Sequence, residues 1–440
     1  MLLSILAFVF VLGVLIFIHE LGHFITAKRI GVKVQVFSLG FPPKLWGFKR
    51  GDTEYHIGVL PLGGYVKMAG GDMGEATGNP EELPSRSRLE RLAILFMGPA
   101  MNVLLAVALF TVLFMAGVDR PAGLGDPPVV RLVPPGSPAA QAGIQPGDKI
   151  VRVGQQEVKS WQDALDAFHL SPNQTLAVGI ERAGSVVETE IRVEARGKEE
   201  IGFTGLFPEV QPQVMGLRPG FPAESSGLQK GDVIVKVDEA PIASSEQLIE
   251  AINKSGGQPV TLTVLRASQP VPVTLTPVRE GDRFLVGIDL PSPVVTQRIL
   301  NPLRAFGAAV GECARITRLT FVVLGRLVRG QLSMRQMMGP IGIAQASGQA
   351  ARSGARNLFT LMALISLQLG IFNLLPIPIL DGGHMAIILL EGLARRDFSV
   401  KWKERILQVG FVLLLLLMAT VIYLDLSKID SVRPYLPLKP

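Results

Sequence analysis

The residues of this chain best suited to chemistry are His19-Glu20-Leu21-Gly22-His23. Histidines four apart share one face of a helix, so both imidazoles can reach one Zn²⁺. Glu20 is turned about 100° from His19 and can act as base for a zinc-activated water without binding the ion. A hydrolytic zinc site of this type takes three protein ligands. The third is read as Asp381, in Asn373-Leu-Leu-Pro376-Ile-Pro378-Ile-Leu380-Asp381-Gly382-Gly383-His384. There Pro376 and Pro378 break the helix and turn the chain, and the two glycines permit close approach. His384 is also a reasonable donor by chemistry, but is assigned to packing or to support of the site. His56 and His169 have no metal-like spacing. The single cysteine, Cys313, excludes a cysteine metal cluster and an internal disulfide framework.

The elements that must position these residues are membrane spans. Charged residues are 18% of the 440, against ~25% in soluble domains. The deficit lies in four windows without Asp, Glu, Lys or Arg: Met1–Ile18, Leu92–Val118, Asn357–Leu380 and Ile406–Leu424. Each is close to the ~20 residues that cross ~30 Å of hydrocarbon. A purely soluble enzyme and a disordered chain are excluded. Met1–Ile18 has neither the basic start nor the small-residue cleavage site of a signal peptide and is read as a retained span. Basic residues crowd the loop between the first two windows (Lys28, Arg29, Arg86, Arg88 and Arg91 among them) and the loop between the last two (Arg395, Arg396, Lys401, Lys403, Arg405). The positive-inside rule puts both loops in the cytoplasm and both termini outside. Spans one and three then run the same way, and His19, His23 and Asp381 arrive at similar depth near the cytoplasmic leaflet. The net charge of +6 suits contact with anionic lipid and calls for no nucleic acid partner.

The long segment between spans two and three must be folded and soluble, and it contains a repeat. Gly136-Ser-Pro-Ala-Ala-Gln-Ala-Gly143 with Gly147-Asp148 recurs as Gly220-Phe-Pro-Ala-Glu-Ser-Ser-Gly227 with Gly231-Asp232, each match offset by 84 residues. Each copy continues in strand-like alternation and a short helical stretch. Gly143, Gly147, Gly227 and Gly231 allow positive φ, so successive backbone N–H groups could converge on one point. The pattern resembles the carboxylate-binding loop of PDZ domains, over residues 122–206 and 207–291, whose grooves take peptides by strand addition and chain-end capture. The arginine-punctuated stretch 299–330 is read as an amphipathic helix on the outer membrane surface.

An H-E-x-x-H in a first span, an N-x-x-P-x-P-x-L-D-G in a later one and PDZ-like domains between them resemble the site-2 protease family of intramembrane zinc metalloproteases, of the bacterial regulator-of-sigma-E type. The resemblance covers essentially the whole chain. It implies a polytopic α-helical membrane protein with four transmembrane helices, a re-entrant β-hairpin and two tandem extracytoplasmic PDZ-like α+β domains. It implies one Zn²⁺ per chain on His19, His23 and Asp381, Glu20 as the catalytic residue, and Asn373 as a holder of substrate backbone. Tyr55–Gly71, with Gly64 and Tyr65, is similar to the family's re-entrant hairpin beside the active site. Gly98-Pro99-Ala-Met-Asn102 in span two is similar to a further signature, and Asn102 is taken with the substrate-binding residues.

The order expected along the chain is a first membrane half (1–121), the PDZ-like domains, linking amphipathic helices (292–356) and a second membrane half (357–440). The implied partners are the bilayer of a bacterial inner membrane, single-span substrate proteins such as anti-sigma factors and remnant signal peptides, and an upstream site-1-type protease that trims those substrates. Two rivals are a non-proteolytic PDZ membrane scaffold and a zinc transporter. The intact Glu20 argues against the first, and the near absence of polar groups in the four windows argues against the second.

Overall fold

The computed structural model describes residues 2–427 apart from 72–76, 122, 132, 135, 197–199, 207, 209–211, 243–244, 267–268, 281–282, 291–293, 333 and 335–336. The C-terminal tail expected after span four lies outside the described residues. Two compact units result. One comprises Met1–Val118, Arg298–Val328 and Met337–Pro440, the other Asp119–Gln297 and Arg329–Gln336.

The first unit opens with α1 (Leu2–Ile30), an apolar run without proline whose last turn carries Lys28 and Arg29 against the helix dipole. Strands β1 (Val34–Arg50) and β2 (Thr53–Met68) then form an antiparallel two-stranded hairpin. Its base is tied by Thr53 Oγ1 donating to the Val34 carbonyl at 2.9 Å. Farther along the ribbon Phe41, Leu45, Trp46 and Phe48 are exposed, and the rings of Phe48 and Tyr55 stack at 5.1 Å. Helix α2 (Arg88–Ala116) starts at a capping box in which Ser87 and Glu90 each accept a backbone N–H of the other.

The second unit contains two copies of one arrangement. In the first, a one-turn helix α3 (Pro138–Gln141) precedes a four-stranded antiparallel sheet, ordered 156–157, 149–153, 175–182, 185–192, with α4 (Trp161–His169) beside it. In the second, α5 (Pro222–Ser225) and α6 (Ser245–Lys254) accompany strands 240–241, 233–237, 260–266 and 269–275 in the equivalent order. Period-two alternation drives Val178, Ile180 and Ile191 into one core and Leu262, Val264 and Val273 into the other.

The chain returns to the first unit with α7 (Pro302–Val328), α8 (Pro340–Arg352), α9 (Ala355–Asn373), α10 (Asp381–Ala394) and α11 (Val400–Ser427). Helices α1, α2, α9 and α11 are long and apolar enough to cross a membrane, and they coincide with the four uncharged windows. Helix α7 departs from the surface-lying helix expected for it. Its face of Ala305, Ala309, Cys313 and Ile316 packs with Phe110 and Phe114 of α2 and Leu367 and Ile371 of α9. Thr320 exchanges hydrogen bonds with Gln368, well inside α9. Small residues repeating every fourth position let its backbone approach the spans. Asp425 near the end of α11 accepts the N–H groups of Gly339 and Gly342 at 3.1 and 2.9 Å, capping α8.

Candidate metal centre

One turn of α1 and the start of α10 bring three donors together. His19 Nε2 lies 3.2 Å from His23 Nε2 and 3.1 Å from Asp381 Oδ2, and His23 Nε2 lies 3.5 Å from Asp381 Oδ1. Four ligands at ~2.05 Å round a tetrahedral zinc stand about 3.3 Å apart, so the separations match that ion. Between α9 and α10 the chain runs through Pro376 and Pro378, and Ile379 is held at φ +85°. That conformation costs a β-branched residue about 1–3 kcal/mol. Cβ atoms on Gly382 or Gly383 would overlap the backbone at Leu374, Leu375 and Ile377, so the turn that delivers Asp381 requires both glycines.

Helix α2 forms the wall behind the donors. His23 Nδ1–H donates to the Ile94 carbonyl at 2.8 Å, which fixes the ring and leaves Nε2 free for a metal. Gly98 packs flat on the His23 imidazole, and any Cβ there would overlap the ring. Gly22 meets the Met97 carbonyl in the same way. Asn102, fully buried, turns its amide onto His19 Nδ1 at 3.3 Å. Spacing along α1 gives no sign of the Ile94 carbonyl or of the Gly98 seat; the only signal was the glycine-proline pair at 98–99.

Residues 7–417 match peptidase family M50. The chain belongs to peptidase family M50. It is 33% identical to Protease RseP of Yersinia pestis, over 97% of this chain and 99% of that protein. It is 32% identical to the regulator of sigma-E protease RseP of Escherichia coli, over 96% and 98%. The solved PDZ domain of an SdrC-like protein from Listeria monocytogenes matches 19% of this chain and 87% of its own length, at 22% identity and a TM-score of 0.17. This M50 peptidase is an intramembrane zinc metalloprotease and a multi-pass protein of the inner membrane.

In the M50 peptidase the donors open onto a cavity of about 590 Å³. Glu20, Gly64, Tyr65, Asn373 and His384 line it together with His19, His23 and Asp381. Strand β2 passes directly over Glu20: a Cβ on Gly64 would stand 3.0 Å from Glu20 Cγ and 2.8 Å from Ile16 Cγ2. Asn102 is the one candidate that sits behind the histidines, away from this lining.

At Gly143, Gly147 and Gly231 the backbone N–H groups expected to converge on an anion bond within the chain. All four repeat glycines adopt the expected positive φ, but Gly147 N–H donates to Val130, Gly143 N–H to Ala140 and Gly231 N–H to Val214. The carboxylate beside them is the chain's own. Arg182 donates twice to Asp148, at 2.7 Å each, and once to the Gly143 carbonyl at 2.8 Å. Arg266 repeats this on Asp232 and the Gly227 carbonyl. The hydrogen bonds from Arg182 and Arg266 hold both carboxyls below the usual range. A groove of about 620 Å³ does exist in the second repeat, lined by Ile249 and Ile252 of α6 and by residues 284–290; neither Gly227 nor Gly231 borders it. A glycine-aspartate turn reads alike in sequence whether it binds an external anion or closes on an internal arginine.

Proposed function

We propose that this peptidase hydrolyses a peptide bond within the membrane segment of single-span proteins already trimmed outside by another protease, with one zinc ion per chain held by His19, His23 and Asp381. The observation that carries the reading is the meeting of three donors from two distant helices, spaced as a tetrahedral ion requires, on the cavity that also holds Glu20. When bound, zinc supplies an acidified water and a Lewis acid for the scissile carbonyl. Glu20 takes the water's proton and passes it to the leaving nitrogen.

A substrate helix must unwind first, because hydrocarbon offers no replacement for its internal hydrogen bonds. The backbone around Gly64 and Tyr65 can pair with the extended strand, and the Asn373 amide can bond a freed backbone group. The exposed apolar residues of the β1–β2 ribbon support its entry into the bilayer as a re-entrant hairpin. The basic loops support an active site near the cytoplasmic leaflet, with both termini and two tandem PDZ-like domains outside. The apolar groove of the second repeat suits an extended chain end of a trimmed substrate. Four relatives carry the name regulator of sigma-E protease, which supports anti-sigma-factor-like substrates here.

Glu20→Gln should lower cleavage of a membrane-embedded model substrate by on the order of 10²–10⁴-fold with zinc content unchanged. Cleavage at the wild-type rate would sink the assignment.

A further inference from the structure

Behind His19, the Asn102 amide nitrogen faces Nδ1 at 3.3 Å, and its amide oxygen is enclosed without a hydrogen-bond partner. With the amide in this sense Nδ1 could only accept, and the ring proton would be left on Nε2, 3.1 Å from Asp381. That tautomer is wrong for holding a metal, because imidazole binds through a bare nitrogen. Only Nε2 of His19 faces both His23 and Asp381, so a metal-holding His19 must carry its proton on Nδ1. His23 already has this arrangement, because the Ile94 carbonyl beside its Nδ1 can only accept. His19 has an amide instead, and an amide presents either an acceptor or a donor in the same shape.

We propose that Asn102 is the positioning residue for His19, its Oδ1 accepting from Nδ1–H so that Nε2 is left bare for the metal. The main chain at Asn102 is pinned from α9. Ser366 Oγ donates to its carbonyl at 2.7 Å, and a Cβ on Gly370 would stand 2.9 Å from the Pro99 carbonyl. The motif of α2 is thereby absorbed whole, Gly98 seating one histidine and Asn102 setting the other.

The inference rests on His19 being a ligand, and the test separates the two. Zinc affinity is measured in the full-length detergent-purified protein by chelator competition for wild type, His19→Ala, Asn102→Leu, Asn102→Asp and Ser366→Ala. The ring tautomers are read from ¹⁵N spectra of histidine-labelled protein, which has five histidines. Asn102→Leu should weaken zinc binding about 10–100-fold. Asn102→Asp, which keeps an acceptor, should stay within about threefold of wild type, and Ser366→Ala within about twofold. Zinc-loaded wild type should show His19 protonated on Nδ1. A zinc-loaded His19 protonated on Nε2, or an Asn102→Asp protein as weak as Asn102→Leu, overturns the proposal even if the leucine variant fails to fold. Zinc binding unaffected by His19→Ala overturns the ligand assignment itself.

Discussion

Three carboxylates withdrawn from water can be set side by side. Asp148 and Asp232 in the repeats have side chains 1% and 2% exposed, and Asp381 in the membrane unit is 17% exposed. Each repeat carboxylate is met by an arginine, a permanent cation with a planar fork, and nothing further is needed. Asp381 is met by two imidazoles, which are neutral when they act as ligands. On the proposed function, its negative charge is answered by a cation from outside the chain. The same residue type closes a structural lock in one region and, on the proposed function, serves a metal in the other, and the identity of the facing base decides which.

That contrast can be broken at its strongest point first. Asp381→Ala should abolish substrate cleavage and drop zinc content well below one per chain, while thermal unfolding of the repeats is unchanged; retained zinc and activity would show that the imidazoles suffice. Gly98→Val should follow, since the new side chain displaces the His23 ring: zinc affinity is expected to fall about 10–100-fold, read by the same chelator competition.

In the repeats, Arg182→Gln or Arg266→Gln should lower the melting temperature of the altered copy alone by about 5–10 °C. Hydrogen exchange resolved by peptide can check this, and zinc content should not change. The smallest effect is acidification. Arg182 and Arg266 hold the two carboxyls below the usual range, so the unfolded chain binds those protons more readily. The stabilisation from each lock is full above the ordinary carboxylate value of ~4 and drains away as pH falls through the lower folded-state values. Repeat stability that is flat over that interval would remove the lock from the account.

Much of this organisation is legible in the sequence. The four spans follow from uncharged windows, because hydrocarbon tolerates little else. His19 and His23 follow from helical spacing, and Asp381 from the proline-broken segment before it. The duplication follows from the 84-residue offset. What escapes is whatever depends on one helix lying against another. The Ile94 carbonyl carries no side-chain signature. Gly98 matters only because His23 happens to face it. Helix α7 is arginine-punctuated like a surface helix, and its small-residue face gains meaning only beside α2 and α9. The repeat glycines are legible as turns, but the arginines that close on Asp148 and Asp232 are not, since Arg182 and Arg266 lie more than thirty residues downstream of them.

The seat at Gly98 has a further consequence. With α2 pressed onto one imidazole and Asn102 against the other, the donors are sealed from behind, and exchange with solvent passes through the cavity beneath β2. A compact chelator can follow that route, whereas a bulky one must wait for the bundle to part. The ratio of their zinc-stripping rates would then time the breathing of the helices around the centre.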